Sequence, residues 1–351
     1  IKRVEGVDAE DQADGFAAHP EGHQVAVDSR GEVFLVPTDP EEGEKRQVTS
    51  SAWRDRYQKF SPDGEHLAWV SDEGGEEQLW VMELASGERR KLTDHDSYKT
   101  TDYVWSPDSD RIAFEAANTL FEVEVATGRT TELAYNENRG FSLSEYSPDG
   151  RWLVYSRRDL DEDSEVYLFE VDSRREVNVT RDPFYDYDGV LTPDGTHIVF
   201  RSSRDAGTPH LFLASLTALT EDPDDPLVKG RKDEEEGEDE GEGGTEEDAP
   251  TSLTVEPEGI QDRARQLTSG SDGVGSYFLS ADGETIYFTS RNDDGPGLFS
   301  IPLEGGDPRE LASGSFGDLQ PTRDRQTLFF ERGRGEIHHL ERKSTRLNSS
   351  H

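Results

Sequence analysis

One short phrase recurs along this chain at a nearly constant interval, and it constrains the fold more than any other feature. The phrase is a small residue followed by Pro, Asp and Gly. Its copies begin at His19, Ser61, Ser106, Ser147, Thr192 and Ser280, with a degraded seventh copy, Gln320-Pro321-Thr322-Arg323. Successive copies lie 42, 45, 41, 45, 88 and 40 residues apart, the long step being one unit plus an insertion. Such a period indicates stacked structural repeats.

Each copy has the composition of a tight turn between two strands. Proline fixes φ, Asp bonds to the neighbouring backbone, and Gly takes the positive φ that closes the bend. Strands rich in β-branched and aromatic residues follow, for example at 67–70, and two further strand patterns, such as 78–84 and 89–93, complete each unit. Four strands in about 43 residues are typical of a propeller blade. The absence of a 3.6-residue period argues against a helical solenoid.

We therefore predict an all-β fold, a seven-bladed β-propeller of four-stranded antiparallel blades that covers residues 1–342. The opening segment stands where a fourth strand belongs, whereas the last unit ends after its third strand, 336–340. The N-terminal strand is expected to complete the last blade and close the ring, which removes exposed sheet edges.

Two segments depart from the repeat. Residues 217–262 are predicted to be an inserted acidic, largely disordered loop in blade five, because 233–248 is nearly all Glu, Asp and Gly. Cation or partner binding by this run is the alternative. Residues 343–351 contain no acid, and we interpret them as a non-native tail, which would make the chain a fragment of a longer protein.

The charge of the chain limits its partners. With 77 acidic and 37 basic residues, its net charge is −40, which opposes binding to nucleic acids and to anionic membranes. We expect neither partner, and no apolar run approaches the roughly 18 residues of a membrane span. Only eight of the bases are lysine. An acid-rich, lysine-poor surface favours solubility in strong salt, so we interpret the charge as halophilic adaptation, with calcium buffering as the alternative.

The sequence offers no catalytic centre of its own. It has no cysteine, no phosphate-binding glycine motif and no nucleophile elbow. His338 and His339 adjoin on a strand and should point to opposite faces. Four further histidines lie in repeat turns or beside them and are expected at the surface: His19, His66, His95 and His197. We predict no catalytic residue, no cofactor and no metal ligand, with the Asp-rich stretch 182–188 as an alternative cation site.

Specific phrases resemble a known family. The Ser-Pro-Asp-Gly turn followed by an apolar strand is similar to the propeller repeats of the Tol-Pal system, of prolyl-oligopeptidase-type enzymes and of tricorn protease. Two stretches favour tricorn: 53–64, in which an Arg-rich loop precedes the turn, and 256–263, Glu-Pro-Glu-Gly-Ile-Gln-Asp-Arg, after the inserted segment. The long acidic run and Pro257 depart from that family pattern, which leaves the substrate range open.

The resemblance implies a role in proteolysis. Tricorn proteases are large cytosolic serine peptidases with a six-bladed and a seven-bladed propeller, a PDZ domain and two catalytic subdomains, assembled as a hexamer. This chain resembles the seven-bladed part, so the implied function is substrate gating for an enzyme that degrades oligopeptides. The implied partners are peptide substrates, the PDZ and peptidase domains of the same chain, and further copies of it. A noncatalytic Tol-type binding propeller is the alternative. The implied location is cytoplasmic, with a periplasmic or secreted one open because the chain starts at Ile1.

The innermost strand of each blade runs directly before the turn. Charged residues near the start of this strand are predicted to face the channel entrance. Blades two to four bring bases there, Arg54, Arg56, Lys99 and Arg139, and the other blades bring acids, Asp186, Asp188, Asp272, Asp318 and Asp14. Because consecutive blades are neighbours in a ring, we expect a basic arc facing an acidic arc, which would orient an entering peptide. The alternative is that the arginines form structural bridges with Asp55 and other nearby acids.

Overall fold

The protein folds as a ring of sheets. The computed structural model describes residues 5–6, 13–95, 100–137, 139–158, 163–205, 207–218, 252–333 and 335–341. Its strands form seven four-stranded sheets, all antiparallel within the blade, which confirms the predicted seven-bladed propeller. The helical content of these ranges is a single 3-10 turn, η1 (Ile260–Arg263). None of the described segments forms a helix with the length and hydropathy of a membrane span.

The strands follow the chain from the central channel outwards in each blade. Before blade one stands β1 (Glu5–Gly6), and blades one to three contain β2 (Gly15–Ala18), β3 (Gln24–Ser29), β4 (Glu32–Pro37), β5 (Arg46–Gln47), β6 (Asp55–Phe60), β7 (His66–Ser71), β8 (Gln78–Glu83), β9 (Arg89–Lys91), β10 (Thr100–Trp105), β11 (Arg111–Ala116), β12 (Thr119–Glu124) and β13 (Thr130–Tyr135). Blades four to seven contain β14 (Phe141–Tyr146), β15 (Trp152–Arg158), β16 (Ser164–Glu170), β17 (Arg175–Asn178), β18 (Asp186–Leu191), β19 (His197–Asp205), β20 (Thr208–Ser215), β21 (Ala264–Gln266), β22 (Tyr277–Leu279), β23 (Thr285–Asn292), β24 (Gly295–Pro302), β25 (Arg309–Ser313), β26 (Gly317–Pro321), β27 (Thr327–Glu331) and β28 (Ile337–Glu341).

The N-terminal strand closes the ring. Blade seven has the order β26-β27-β28-β1, and β1 pairs antiparallel with β28, Glu5 opposite His339 and Gly6 opposite His338. The predicted closure is therefore confirmed. It covers the edge that β28 would otherwise expose.

The recurring phrase forms the turn between the first and second strands of each blade. In blade two, the backbone N–H of Gly64 donates to the Ser61 carbonyl at 2.9 Å, and the Ser61 hydroxyl donates to the Asp63 carboxylate. Gly64 has φ 79°, a conformation that glycine adopts without the strain a Cβ would bring.

The seventh turn lies two residues later than the sequence predicts. The Thr322 hydroxyl donates to Asp324 at 2.7 Å, and the Arg325 N–H donates to the Thr322 carbonyl at 2.9 Å. The turn is therefore Thr322-Arg323-Asp324-Arg325, and Pro321 ends β26. The hydroxyl and the carboxylate, rather than the proline, make the bonds of this turn. Arg325 takes the place of glycine with φ 55°.

Each junction between neighbouring blades holds an apolar cluster. Val70 of blade two packs with Phe114 of blade three, and Phe16 of blade one packs with Phe329 of blade seven. Trp69, Trp105 and Trp152 pack in these clusters between blades. The hydrophobic core is thus spread over the blade junctions.

The end of the inserted segment belongs to the folded propeller. The insertion separates β20 from β21, as predicted. Leu253, Val255 and Ile260 are buried among residues of blades four and five, and the Leu253 N–H donates to Asp149 at 3.2 Å. The predicted loop 217–262 therefore extends too far, because these three apolar side chains join an existing core. Residues 219–251, including the acidic run, and the tail 343–351 lie outside the described residues.

Candidate functional site

The first strands of the blades line the central channel, and several of them are irregular. Five change register against the second strand of their blade, namely β6, β10, β14, β18 and β26. At three of these bulges a residue other than glycine has positive φ: Tyr57 (57°), Asp188 (52°) and Asp318 (46°). A bulge changes the direction of the side chains around it, and such backbone persists where the surroundings hold it.

Polar side chains beyond the bulges bond to the backbone of the next blade. The Lys59 ammonium donates to the Tyr103 carbonyl at 2.6 Å, and Glu145 accepts the Leu191 N–H at 2.6 Å. Further bonds of this kind are Leu143 N–H to Asp102 at 2.8 Å, Gln320 Nε2 to the Phe16 carbonyl at 2.9 Å, and Ala18 N–H to Gln320 at 2.8 Å. These side chains join neighbouring blades around the channel.

Two tyrosines make the reverse connection. The Tyr103 hydroxyl lies 2.6 Å from the Tyr57 carbonyl in the preceding blade, and the Tyr277 hydroxyl donates to the Asp188 carbonyl. Tyr57 and Asp188 are bulge residues, so each hydroxyl holds a strained backbone position of the blade before it.

A cavity of 680 Å³ opens in the channel along blades seven, one, two and three. This volume falls within the range of small-ligand sites. Its charged lining residues are Asp14, Asp28, Arg54, Asp55, Arg56, Lys59, Asp102 and Asp318. We call it the channel cavity.

Two of these acids are part of the wall. Asp28 and Asp55 are buried, and burial raises the pKa of both carboxyl groups. The Gln58 amide donates to Asp28 at 3.2 Å, and the Trp69 indole N–H donates to Asp55 at 3.2 Å. Each of these carboxylates therefore already accepts a hydrogen bond from a protein side chain.

Other charges of the cavity are neutralised by neighbours. Arg56 forms an ion pair with Glu77, and the Lys59 ammonium lies 3.7 Å from the Asp102 carboxylate. Burial raises the pKa of Asp102, and the Lys59 charge opposes this rise.

Three charged residues remain exposed to the channel cavity: Asp14, Arg54 and Asp318. Protein surrounds Asp318 although solvent reaches it, and this burial raises its pKa. The Gln320 amide, which donates to Asp318 at 2.8 Å, acts in the opposite direction. The cavity thus presents two acids and one base to whatever enters it.

A further charged residue of the channel wall is Glu145 in blade four. Burial raises the pKa of Glu145 to about 7, and the bond from the Leu191 N–H and the charge of Arg325 in the blade-seven turn act against this rise. Burial lowers the pKa of Arg325. The channel therefore contains a carboxyl group that titrates near neutral pH.

The structure brings together only part of the predicted rim. Arg54, Arg56, Asp318 and Asp14 line the channel cavity. Asp186 does not face an entrance, because its side chain is fully buried and lies 3.1 Å from Arg204. Burial raises the pKa of Asp186 to about 7.

The other predicted rim residues are dispersed. Asp188 pairs with Arg201, and Asp272 lines a separate cavity of 380 Å³ beside blade six. Arg139 is exposed but does not line the channel cavity, and Lys99 lies outside the described residues. The described residues therefore form one mixed cavity instead of two facing arcs, because neighbouring side chains neutralise or bury most of the charges.

Sequence reasoning missed several channel residues. Lys59, Glu145 and Gln320 each stand two residues before the first residue of their turn. A polar residue at that position of an otherwise apolar strand is the signal that identifies them.

The histidines also differ in part from expectation. His338 stacks on Phe330, and His339 packs edge-on against Phe329. The two phenylalanines belong to different blade junctions, so the predicted opposite orientation of the histidines is confirmed. His19 is buried, with 3% of its surface exposed, instead of lying at the surface. It occupies the serine position of its turn.

Comparison with known proteins gives a consistent result. The family model of the tricorn protease second β-propeller domain matches residues 13–272. Tricorn protease homolog 1 of Streptomyces coelicolor (strain ATCC BAA-471 / A3(2) / M145) is 28% identical over 192 residues, 49% of this chain and 18% of that protein. An uncharacterised peptidase of Bacillus subtilis (strain 168) is 33% identical over 175 residues, 48% of this chain and 24% of that protein.

A solved structure shows the same fold. The crystal structure of the tricorn protease superimposes with a TM-score of 0.71 and 13% identity, covering 97% of this chain and 34% of that chain. The chain spans less than a quarter of the length of the first curated relatives it matches, 21% and 24%.

Proposed function

Because the chain belongs to the tricorn protease second β-propeller family, we propose that it gates substrate access in a larger tricorn-like serine peptidase that degrades oligopeptides. It is a peptidase-associated propeller. Under this proposal the catalytic residues and a PDZ domain lie in parts of the protein outside this sequence, and this chain contributes the path by which peptides reach them.

The observation that carries the proposal is the channel cavity. It opens along four of the seven blades and has the volume of a ligand site. An extended peptide has an ammonium group at one end and a carboxylate at the other. Asp14 and Asp318 offer charge to the ammonium group, and Arg54 offers charge to the carboxylate, so the exposed groups can orient a chain that enters.

Assembly and location are part of the same proposal. A gate acts only if unfolded chains cannot bypass it, so the enzyme needs an enclosed chamber. We propose a homo-oligomer, a hexamer by resemblance, in the cytoplasm, where oligopeptides from upstream proteolysis are the substrates.

The test is to obstruct the channel in the full-length protein. The present chain has no cysteine, so Asp318→Cys introduces a labelling site in the channel cavity. A bulky maleimide there should lower the rate of hydrolysis of long unstructured peptides several-fold, because it fills the cavity. Dipeptide and tripeptide hydrolysis should change less.

The matched control is Thr131→Cys, which places the same label on exposed β13 at the outside of blade three. Wild-type protein treated with the reagent is the baseline for any cysteines elsewhere. Equal hydrolysis of long peptides by the two labelled variants would show that substrates do not pass through this channel.

A further inference from the structure

The turn of blade one differs from the six other turns at three positions. Elsewhere the first residue is Ser or Thr and the third is Asp, whereas blade one has His19 and Glu21. After the fourth residue stands His23, where the other blades have Glu65, Asp110, Arg151, Thr196, Glu284 and Gln326. The other six copies serve as internal references, because they build the same turn without any of these three residues.

The three side chains converge. One ligand atom from each of His19, Glu21 and His23 lies within 4.8 Å of the other two. The rings of His19 and His23 have their centroids 4.0 Å apart, and His23 Nδ1 lies 3.8 Å from Glu21 Oε2. Ligand atoms around one tetrahedral Zn²⁺ stand about 3.3 Å apart. The side chains of His23 and Glu21 are 49% and 66% exposed, so they can rotate over the remaining distance.

The ring of His19 is fixed by the kind of hydrogen bond that usually orients a metal-ligating histidine. Its Nε2–H donates to the Gly64 carbonyl of blade two at 3.0 Å, which fixes the ring and leaves the lone pair on Nδ1 directed at the turn. A hydrogen bond from the second ring nitrogen to a carbonyl is the usual support of a histidine ligand. The ring also packs edge-on against Phe60, with centroids 5.0 Å apart.

We propose that His19, Glu21 and His23 form a binding site for a divalent transition metal, with Zn²⁺ as the best match, on the face of the propeller that carries the turns. Two imidazoles and one carboxylate suit zinc, copper or nickel better than calcium or magnesium, which take oxygen ligands. Three protein ligands leave a coordination position for water. This site departs from the sequence expectation of no metal, and it is independent of the channel cavity and of the proposed gate.

Two features of the turn oppose metal binding, and the effect of each is small. The Glu21 N–H donates to His19 Nδ1 at 3.2 Å, a distance at the long end of the hydrogen-bond range, and the metal would replace this bond. Arg323 of blade seven is the second feature: its backbone N–H donates to the Pro20 carbonyl of the blade-one turn at 2.9 Å, and its guanidinium donates to the Asp63 carbonyl of the blade-two turn at 3.3 Å. The Glu21 carboxylate, one of the proposed ligands, brings a negative charge to the same turn.

A metal here would connect blades around the ring closure. His19 already bridges to blade two through Gly64, and Pro20 already accepts from blade seven through Arg323. An ion that fixes the blade-one turn would stabilise both contacts, and a ligand that binds only the folded state raises the unfolding temperature.

The test is titration of the metal-free chain with Zn²⁺ alone, by calorimetry in molar KCl to screen the acidic surface. We expect one saturable site per chain. His23→Gln removes an exposed ligand without touching the core, and it should weaken binding by about tenfold or more, since even supporting residues of metal sites contribute about 10–100-fold. Co²⁺ as a spectroscopic probe should give absorption bands that this substitution changes.

His197→Gln is the matched control, because His197 begins β19 directly after the blade-five turn, contacts the Thr196 hydroxyl at 2.7 Å and has no histidine in that turn beside it. It should bind Zn²⁺ as the wild type does. His19→Gln should also lose the site, and the exposed His23 variant keeps the test valid if the buried substitution unfolds the protein. Binding that is unchanged in His23→Gln, or absent from the wild type, would overturn the proposal.

Discussion

At the scale of single residues, the channel wall combines groups that are buried and groups that respond to pH. Glu145 accepts a backbone hydrogen bond from blade five, and burial raises its pKa to about 7 from an unfolded value of 4.5. The folded protein therefore binds a proton at this position that the unfolded chain releases between these two values. The contribution of Glu145 to stability is present below about pH 4.5 and is lost as the pH rises through about 7.

Glu145→Gln should remove this loss. Glutamine keeps an acceptor for the Leu191 N–H and carries no charge, so it mimics the protonated form. Relative to wild type, the variant should gain about 1–3 kcal/mol in free energy of unfolding between pH 5 and pH 8, since one pKa unit corresponds to about 1.4 kcal/mol. Urea unfolding at both pH values measures the difference. The exposed Glu132→Gln should show no such gain. If the difference in free energy of unfolding between Glu145→Gln and wild type were the same at pH 5 and pH 8, this would contradict the raised pKa of Glu145.

At the scale of elements, the bulged strands depend on bonds from the neighbouring blade. Tyr103 is buried, and its hydroxyl lies 2.6 Å from the Tyr57 carbonyl and 3.0 Å from that of Ala68. Tyr277 repeats the arrangement toward Asp188 and Val199. Because Tyr57 and Asp188 have positive φ, each hydroxyl supports backbone that is strained in isolation.

Removal of either hydroxyl should destabilise the fold. Tyr103→Phe and Tyr277→Phe each leave a buried carbonyl without this donor and should lower the free energy of unfolding by about 1–2 kcal/mol. Tyr135→Phe, at a ring that is 61% exposed, should change it by less than about 0.5 kcal/mol. Chemical denaturation of the three variants tests the comparison. Similar small effects in all three would mean that the hydroxyls do not support the bulges.

Although β1 has two residues, its loss should lower the thermal stability of the ring and expose a sheet edge. Deletion of residues 1–8 removes β1 and exposes the edge of β28, so the midpoint of thermal unfolding should fall and the protein should self-associate through the open edge. Deletion of 343–351 is the control, because we interpret that tail as non-native, and this deletion should leave both properties unchanged. Calorimetry and size-exclusion chromatography measure them. A monomer with an unchanged midpoint after loss of β1 would argue against closure.

The elements could be predicted from sequence where their bonds are local. In four of the seven turns a hydroxyl, a carboxylate and a glycine lie within four residues, and the other three keep part of this pattern, so the repeat identified the blades and the closing strand. The seventh turn was misplaced because its proline belongs to β26 and Arg325 stands in for glycine. The bulges, the packed segment 252–262 and the burial of Asp186 could not be predicted, since each depends on contacts with a neighbouring blade or strand.

At the scale of the whole molecule, charge and fold act against each other. The chain has a net charge of −40, so its acidic side chains repel one another in the compact state, and salt screens this repulsion. The core that opposes this repulsion is divided into small apolar clusters at the blade junctions. The balance between core and charge should therefore depend on the ionic strength.

The midpoint of thermal unfolding should rise by several degrees between low and molar KCl. Screening is the reason, so NaCl should act similarly at equal ionic strength, and an uncharged osmolyte of matched osmolality should act less. Scanning calorimetry across the series provides the measurement. A midpoint that stays constant or falls with added salt would contradict the halophilic interpretation.

The pairing of β1 with β28 also determines how the molecule can come apart. In a linear array of repeats, an end unit touches one neighbour and can fray while the remainder stays folded. Here every blade shares an apolar cluster with a neighbour on each side, so no blade occupies an end. Loss of any single blade disrupts two junctions at once, and the ring has no terminus from which unfolding can begin at low cost. A chain of repeats closed in this way should lose its structure as one cooperative unit.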